Sequence, residues 1–270
     1  RAEFGAYLKR RFGDRSTPQH YLSDLAIFLD AVDQKALDEI DSQDVDHFVS
    51  QQQRQEMSAA TINRRLAALH TFFEFMAALE PETTRANPVI WRRHGPKQGQ
   101  PIARDATDAE VAALCEQIED LRDLAIFGMM VGAGLRVGEV AALAVIDLHP
   151  PTDTSDHARL IERGKGQKER VAWLTSNCYY NLIPYKQVRP ESADPRLFLN
   201  HRGQGISVNG IQYRLQAYCR QAGLSLTCHQ LRHTFARRLA DQSMPIESIS
   251  KLLGHSQIET TQRYTAGANP

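Results

Sequence analysis

The chain has 270 residues, 42% of them hydrophobic and 24% charged, enough to bury one large core or two modest ones. No apolar run reaches the roughly 18 residues of a membrane span, and no basic start leads into an apolar stretch, so a cytoplasmic protein without a secretory signal is expected. Lysine and arginine number 32, as do aspartate and glutamate, so the total charge singles out no partner and any surface for a polyanion has to come from local segregation. The first residue is Arg1 rather than Met, which suggests a trimmed chain. Cys115, Cys178, Cys219 and Cys228 show no CxxC spacing and read as reduced thiols rather than a zinc site.

The first ninety residues read as helices. Thr17 followed by Pro18 is a cap and first-turn proline, after which Tyr21, Leu22, Leu25, Phe28, Leu29 and Val32 fall on one face. A second helix opens at Ser42, with Val45, Phe48 and Val49 inward. A third opens at Ser58, with Ile62, Leu66, Leu69, Phe73, Met76 and Leu79 inward, and stops at Pro81. It carries Thr61 and the adjacent pair Arg64 and Arg65, at most one of which can point far from the apolar stripe. They form either a solvated face or phosphate contacts. Residues 1–90 carry 10 basic and 14 acidic side chains, whereas 91–104 carry four basic and no acidic ones. The stretch NPVIWRRHGPKQGQPIAR (87–104) is broken by Pro88, Gly95, Pro96, Gly99 and Pro101. Its Arg92, Arg93, Lys97 and Arg104 are uncompensated within the segment, so 91–104 reads as an extended basic linker able to follow a phosphate backbone. Residues 105–270 then form a second domain.

Thr107 and Glu110 have capping-box spacing and start a helix. A longer apolar helix follows with Leu121, Leu124, Ile126, Phe127 and Met130, ends at Gly132 and Gly134, and gives way to another beginning at Arg136. Residues 159–162 and 170–174 read as short strands around the turn GKGQKE, a candidate hairpin. From Ile206 onward the chain is helical in at least four pieces. The expected fold class is therefore mainly α, a helical domain followed by a mostly helical one with a small antiparallel sheet.

Four segments carry the chemistry: GLRVGEV (134–140), RGKGQKERV (163–171), HQLRHTFA (229–236) and LLGHSQIETTQRY (252–264). Together they supply two arginines, a lysine, histidines and a tyrosine, a set suited to a phosphodiester. Guanidinium groups bind non-bridging phosphate oxygens bidentately and can stabilise the added charge of five-coordinate phosphorus. A lysine on a tight hairpin can protonate a leaving oxygen, and a tyrosine can attack phosphorus and store the bond covalently. His229 and Arg232, three apart on a helix, share a face. Each piece alone has a plainer reading: Arg136 could be a helix-start residue paired with Glu139, Lys165 an exposed lysine, His229 and His233 a metal pair without the HExxH glutamate, His255 a cap and Tyr264 packing.

In combination, order and spacing the four segments resemble the tyrosine recombinase (phage integrase) family, over essentially the whole chain. The resemblance implies a helical core-binding domain at 1–90 and a catalytic domain at 105–270 that together clamp DNA. It places Arg136, Lys165, His229, Arg232, His255 and Tyr264 in the active site, and Thr61, Arg64, Arg65, Arg92, Arg93 and Lys97 are the candidate DNA contacts. In the implied reaction Tyr264 attacks the scissile phosphate, Arg136 and Arg232 hold it, Lys165 protonates the leaving 5′-oxygen, His229 assists proton transfer and His255 bonds the phosphate. Neither a metal nor another cofactor is expected. The expected partners are double-stranded DNA with paired inverted-repeat half-sites and further copies of the chain, as a tetramer on two sites. A type IB topoisomerase-like activity and a non-catalytic DNA-binding regulator are the alternatives. Only TAGANP follows Tyr264. The family's usual C-terminal helix, which docks on a neighbouring protomer, is thus not in this sequence, and poor assembly of two-site synapses is expected.

Overall fold

The structure, a computed structural model, describes residues 2–13, 17–33, 35–79, 86–97, 104–152, 158–163 and 169–254. The chain divides into two compact units, Arg1–Gln100 and Pro101–Pro270. Among the described residues no helix is long and apolar enough to cross a membrane.

The first unit is helical: α1 (Ala2–Phe12), α2 (Thr17–Ala31), α3 (Ser42–Arg54), α4 (Ala59–Leu79) and a single turn, α5 (Trp91–His94). Phe4 and Leu8 of α1, Leu25 and Phe28 of α2, Phe48 of α3 and Ile62, Leu66 and Leu69 of α4 close one core. Each such side chain contributes about 1.5–3 kcal/mol of burial. Most of the predicted stripe of α4 faces this core, but Leu79 is 51% exposed, because the helix ends there. The cap of α3 is Asp41. Its carboxylate accepts the N–H groups of Gln43 and Asp44, and Asp44 returns a bond to the Asp41 N–H, a reciprocal capping box.

The reading of 91–104 as extended and uncompensated is corrected at two places. Trp91–His94 is a helical turn held against α3: Nδ1 of the buried His94 accepts the Ile90 N–H at 2.9 Å, and its Nε2 lies 3.1 Å from the Ser42 carbonyl. Arg93 is paired with Asp46, and Arg104 with Glu110. These acidic partners come from outside the segment, where a local charge count does not register them.

The second unit runs α6 (Asp108–Glu116), α7 (Leu121–Ala133), α8 (Val137–Ala142), β1 (Leu148–His149), β2 (Arg159–Arg163), β3 (Glu169–Trp173), α9 (Ser176–Val188), α10 (Val208–Ala222), α11 (Cys228–Asp241) and α12 (Ile246–Leu253). The three strands form an antiparallel sheet in the order β1-β2-β3, with Leu160 opposite Ala172, so the predicted hairpin forms. The predicted Thr107–Glu110 capping box is also present. The central helix is α7, whose Ala125, Ile126, Phe127, Met129 and Met130 are all buried. At its C-terminal end α9 packs so close that a Cβ on Gly132 would lie 2.8 Å from Cys178 Cβ. The wholly buried Asp123 ties α7 to α10: it accepts from Arg122 Nε (2.9 Å), Arg214 Nε (2.5 Å) and the Tyr218 hydroxyl (3.0 Å). Burial and then the charge of Asp123 push the Tyr218 phenol up to about 12. Of the helical pieces expected after Ile206, three are described, and 255–270 lies outside the described residues.

Candidate active site

The geometry begins with the end of α7. Gly134 takes the left-handed conformation (φ 63°) that stops the helix, a position open to glycine because no Cβ crowds the backbone there. Two residues later Arg136 stands at the N-cap of α8, and Glu139 reaches back to accept its backbone N–H at 2.6 Å. The same carboxylate takes the Arg136 guanidinium, with Nη1 at 2.6 Å from Oε1. The spacing of three makes Glu139 both a cap and a salt-bridge partner, so Arg136 is a helix-start residue and is also aimed by that pairing.

Arg232 reaches the same carboxylate from α11. It is 2% exposed, and its Nη1 lies 3.4 Å from Glu139 Oε2. Its stronger bonds go to main-chain carbonyls: Nη1 donates to Gly134 O at 2.5 Å and Nη2 to Leu253 O at 2.6 Å. Arg136 Nη2 donates to Gly254 O at 3.4 Å. The last carbonyls of α7 and α12, the negative ends of two helix dipoles, thus converge on the guanidinium pair. Among the described residues two arginines meet one glutamate here, a setting for an anion.

His229 lies one turn before Arg232 on α11. Partial burial of its ring, then the positive charges of Arg232 and Arg136, hold its pKa below the ordinary histidine value, so near neutrality the ring is uncharged and able to accept a proton. The His233 ring packs edge-on against it at 4.0 Å between centroids. Among the described residues no group of three or more His, Cys, Asp or Glu side chains is placed to hold a metal ion.

Of the six predicted active-site residues the structure thus brings together Arg136, His229 and Arg232. Lys165, His255 and Tyr264 lie outside the described residues. Glu139 and the carbonyls of Gly134, Leu253 and Gly254 complete the cluster. The sequence signals Glu139 through its spacing from Arg136, but nothing in it signals the carbonyls.

The candidate DNA contacts of the first unit divide differently. Arg64 and Arg65 both turn to Asp24, a 2% exposed carboxylate on α2. Desolvation raises the Asp24 pKa against the opposing pull of the two arginines. The Thr61 hydroxyl is 2.9 Å from that of Ser58 at the start of α4. Arg93 is engaged with Asp46, while Arg92 and Lys97 are exposed.

Sequence comparison agrees with this arrangement. The profile of the phage integrase family matches residues 104–269, and that of the phage integrase N-terminal SAM-like domain matches 2–79. Tyrosine recombinase XerC of Vibrio vulnificus is 32% identical over 276 residues, covering 97% of this chain and 85% of that protein. Among solved structures, the fold is similar to that of the XerH site-specific recombinase in a post-cleavage complex with a palindromic difH substrate (TM-score 0.78, 21% identity, 92% of this chain and 75% of that one). It is also similar to a lambda integrase dimer bound to a COC′ core site (TM-score 0.75, 16% identity, 99% of this chain and 76% of that one). The chain belongs to the phage integrase family: it is a site-specific tyrosine recombinase, an enzyme of DNA strand exchange.

Proposed function

We propose that strand exchange proceeds by two transesterifications through a 3′-phosphotyrosyl intermediate, with Tyr264 as nucleophile. The Tyr264 phenol loses its proton toward the neutral His229 as its oxygen bonds to phosphorus. The bond from phosphorus to the 5′-oxygen breaks, and Lys165 supplies the proton that oxygen needs to leave. Arg136 and Arg232 hold the non-bridging oxygens, where charge builds up in the transition state, and His255 adds a hydrogen bond to the phosphate. The 5′-hydroxyl of the partner strand then reverses these steps. The bond energy is kept in the phosphotyrosine, so this chemistry needs neither ATP nor a metal.

The observation that carries this reading is the pair of guanidiniums fixed by helix-end carbonyls around a single carboxylate, with a pKa-depressed histidine on the same helix. The DNA partner is proposed to be a site of two inverted half-sites, bound by two protomers and paired with a second site in a tetramer. The palindromic substrate of the XerH complex and the dimeric lambda integrase complex support this. In the first unit, Arg92 and Lys97, which make no ion pair with another described residue, are the proposed phosphate contacts. Thr61, Arg64 and Arg65 would contact DNA from α4.

A nicked suicide substrate tests the nucleophile. Tyr264→Phe is expected to bind DNA and leave no covalent protein–DNA adduct, whereas the unaltered chain traps one with EDTA present. An adduct surviving in the variant would sink the assignment.

A further inference from the structure

Helix α11 has two working faces. At 3.6 residues per turn, His229 and Arg232 point to one side, and Thr234, Arg237 and Arg238 to the other. The first side faces the candidate active site. The second is fastened to the short segment 105–108 near the start of the second unit.

That fastening is dense for so short a segment. The hydroxyl of Thr234, a wholly buried residue, accepts the Ala106 N–H at 3.0 Å, and its one proton lies between the Ala106 carbonyl at 2.9 Å and the Gln230 carbonyl of its own helix at 3.1 Å, so it meets both backbone groups of Ala106, itself wholly buried. Arg237 pairs with Asp105 and Asp108, and Arg238 donates to Asp108 at 2.9 Å. These charges draw the Asp108 carboxyl below the usual range, Arg238 most strongly. The next residue, Thr107, caps α6, so the segment is fixed at its far end as well. A helix clamped on one side by a two-bond staple and two arginines has little freedom to roll, and a roll of α11 would carry Arg232 off the Gly134 and Leu253 carbonyls.

We propose that Thr234 is a positioning residue for strand cleavage: by stapling α11 to residues 105–108 it sets the rotation of the helix that presents His229 and Arg232 to the phosphate. This rests on the assignment of those two residues given above. Thr234 touches no reacting atom. It acts through the orientation of α11, and the pairs made by Arg237 and Arg238 support it. Misplacing a catalytic group by about 1 Å can cost on the order of 100-fold in rate, so a hydroxyl remote from the reaction can govern it.

The test is single-turnover cleavage of a nicked suicide substrate at saturating protein, with DNA affinity and thermal midpoint measured on the same preparations. Thr234→Val keeps the side-chain shape and loses both bonds. It is expected to slow cleavage roughly 10- to 100-fold with affinity changed less than about 2-fold, and Thr234→Ser is expected to restore most of the rate. A merely structural role predicts a lowered midpoint, an unchanged rate for the folded fraction and no special rescue by serine, and that outcome would overturn the proposal. So would a loss of affinity parallel to the loss of rate. Should Thr234→Val fail to fold, the double variant Arg237→Gln, Arg238→Gln loosens the same staple from its solvent side. It is expected to lower the rate several-fold with affinity retained, and an unaltered rate there would overturn the proposal. Arg232→Lys on the same substrate separates the two levels of argument. If it cleaves normally, the site assignment itself fails. If it is crippled while Thr234→Val is normal, only the positioning role falls.

Discussion

Replacing Gly134 by alanine probes fold and site together. Gly134 ends α7 at φ 63° and supplies the carbonyl that accepts from Arg232. Placing a Cβ-bearing residue in the left-handed region costs about 1–2 kcal/mol, partly offset by about 0.4–1 kcal/mol from a stiffer unfolded chain. The added methyl also collides with Phe235 Cδ1 and lies 3.0 Å from Leu253 Cδ2. Both belong to the small core that joins α11 and α12. The aromatic ring must retreat by about 1 Å to reach ordinary contact, and such overpacking adds about 1–3 kcal/mol. The net cost is about 1–5 kcal/mol, centred on about 3, a fall of roughly 5–15 °C in the midpoint of a unit this size at the central value. Gly223 is the control. It ends α10 at φ 66° with open space where a Cβ would go, so Gly223→Ala keeps the backbone strain without the collision and should cost no more than about 1.6 kcal/mol. Calorimetry and suicide-substrate cleavage on both variants decide the matter. Phe235 follows Arg232 on α11, so Gly134→Ala should lose cleavage by about 100-fold while Gly223→Ala retains it. Equal thermal losses, or full cleavage by Gly134→Ala, would refute the claim that the collision and the Arg232 acceptor matter.

Two further outcomes follow from buried or shifted charges. Asp123→Ala leaves Arg122, Arg214 and the Tyr218 hydroxyl without their shared acceptor inside the second unit. A loss of about 3 kcal/mol by urea titration is expected, the low end for a broken buried pair because Arg214 is 37% exposed, and a loss under about 1 kcal/mol would show the network to be dispensable. His229 has a folded pKa held below its ordinary 6.5, so the unfolded chain binds the proton more readily. The stability owed to the neutral ring is therefore fully present above pH 6.5 and falls as the pH drops below it. His229→Asn should flatten the stability profile below pH 6.5, and identical slopes for the two proteins would contradict the shift.

What the sequence conveys about this fold is what short-range chemistry can encode. The capping box at Thr107, the pairing of β2 with β3 and the apolar stripe of α4 each involve residues near one another in the chain. Helix α9 escapes such reading because SNCYYNLIPYKQV mixes polar residues with Pro184 and shows almost no one-sided pattern. It is helical because Thr175 caps it and Gly132 of α7 leaves room for Cys178. Arg64 and Arg65 look like a free basic face because their partner, Asp24, lies forty residues earlier on α2. In the candidate site the Arg136–Glu139 pair is legible from a spacing of three. The bond from Arg232 to the Gly134 carbonyl spans 98 positions and involves no side chain on the accepting end, so no motif could announce it.

The use of carbonyls at those acceptors has a physical reason. A phosphate-binding site needs guanidiniums that are rigid before DNA arrives yet not neutralised. A carboxylate for each arginine would fix the geometry but cancel the charge and compete with the phosphate oxygens. Among the described residues one carboxylate, Glu139, is shared by Arg136 and Arg232, and carbonyls at the ends of α7 and α12, whose dipoles carry only about half a unit of negative charge each, add to their orientation. Both helices stop at a left-handed glycine, Gly134 and Gly254. That conformation ends each helix abruptly and leaves its final carbonyls available to outside donors. The glycines flanking the candidate site thus do electrostatic as well as conformational work: they bring main-chain oxygen to the two arginines proposed to hold the phosphate.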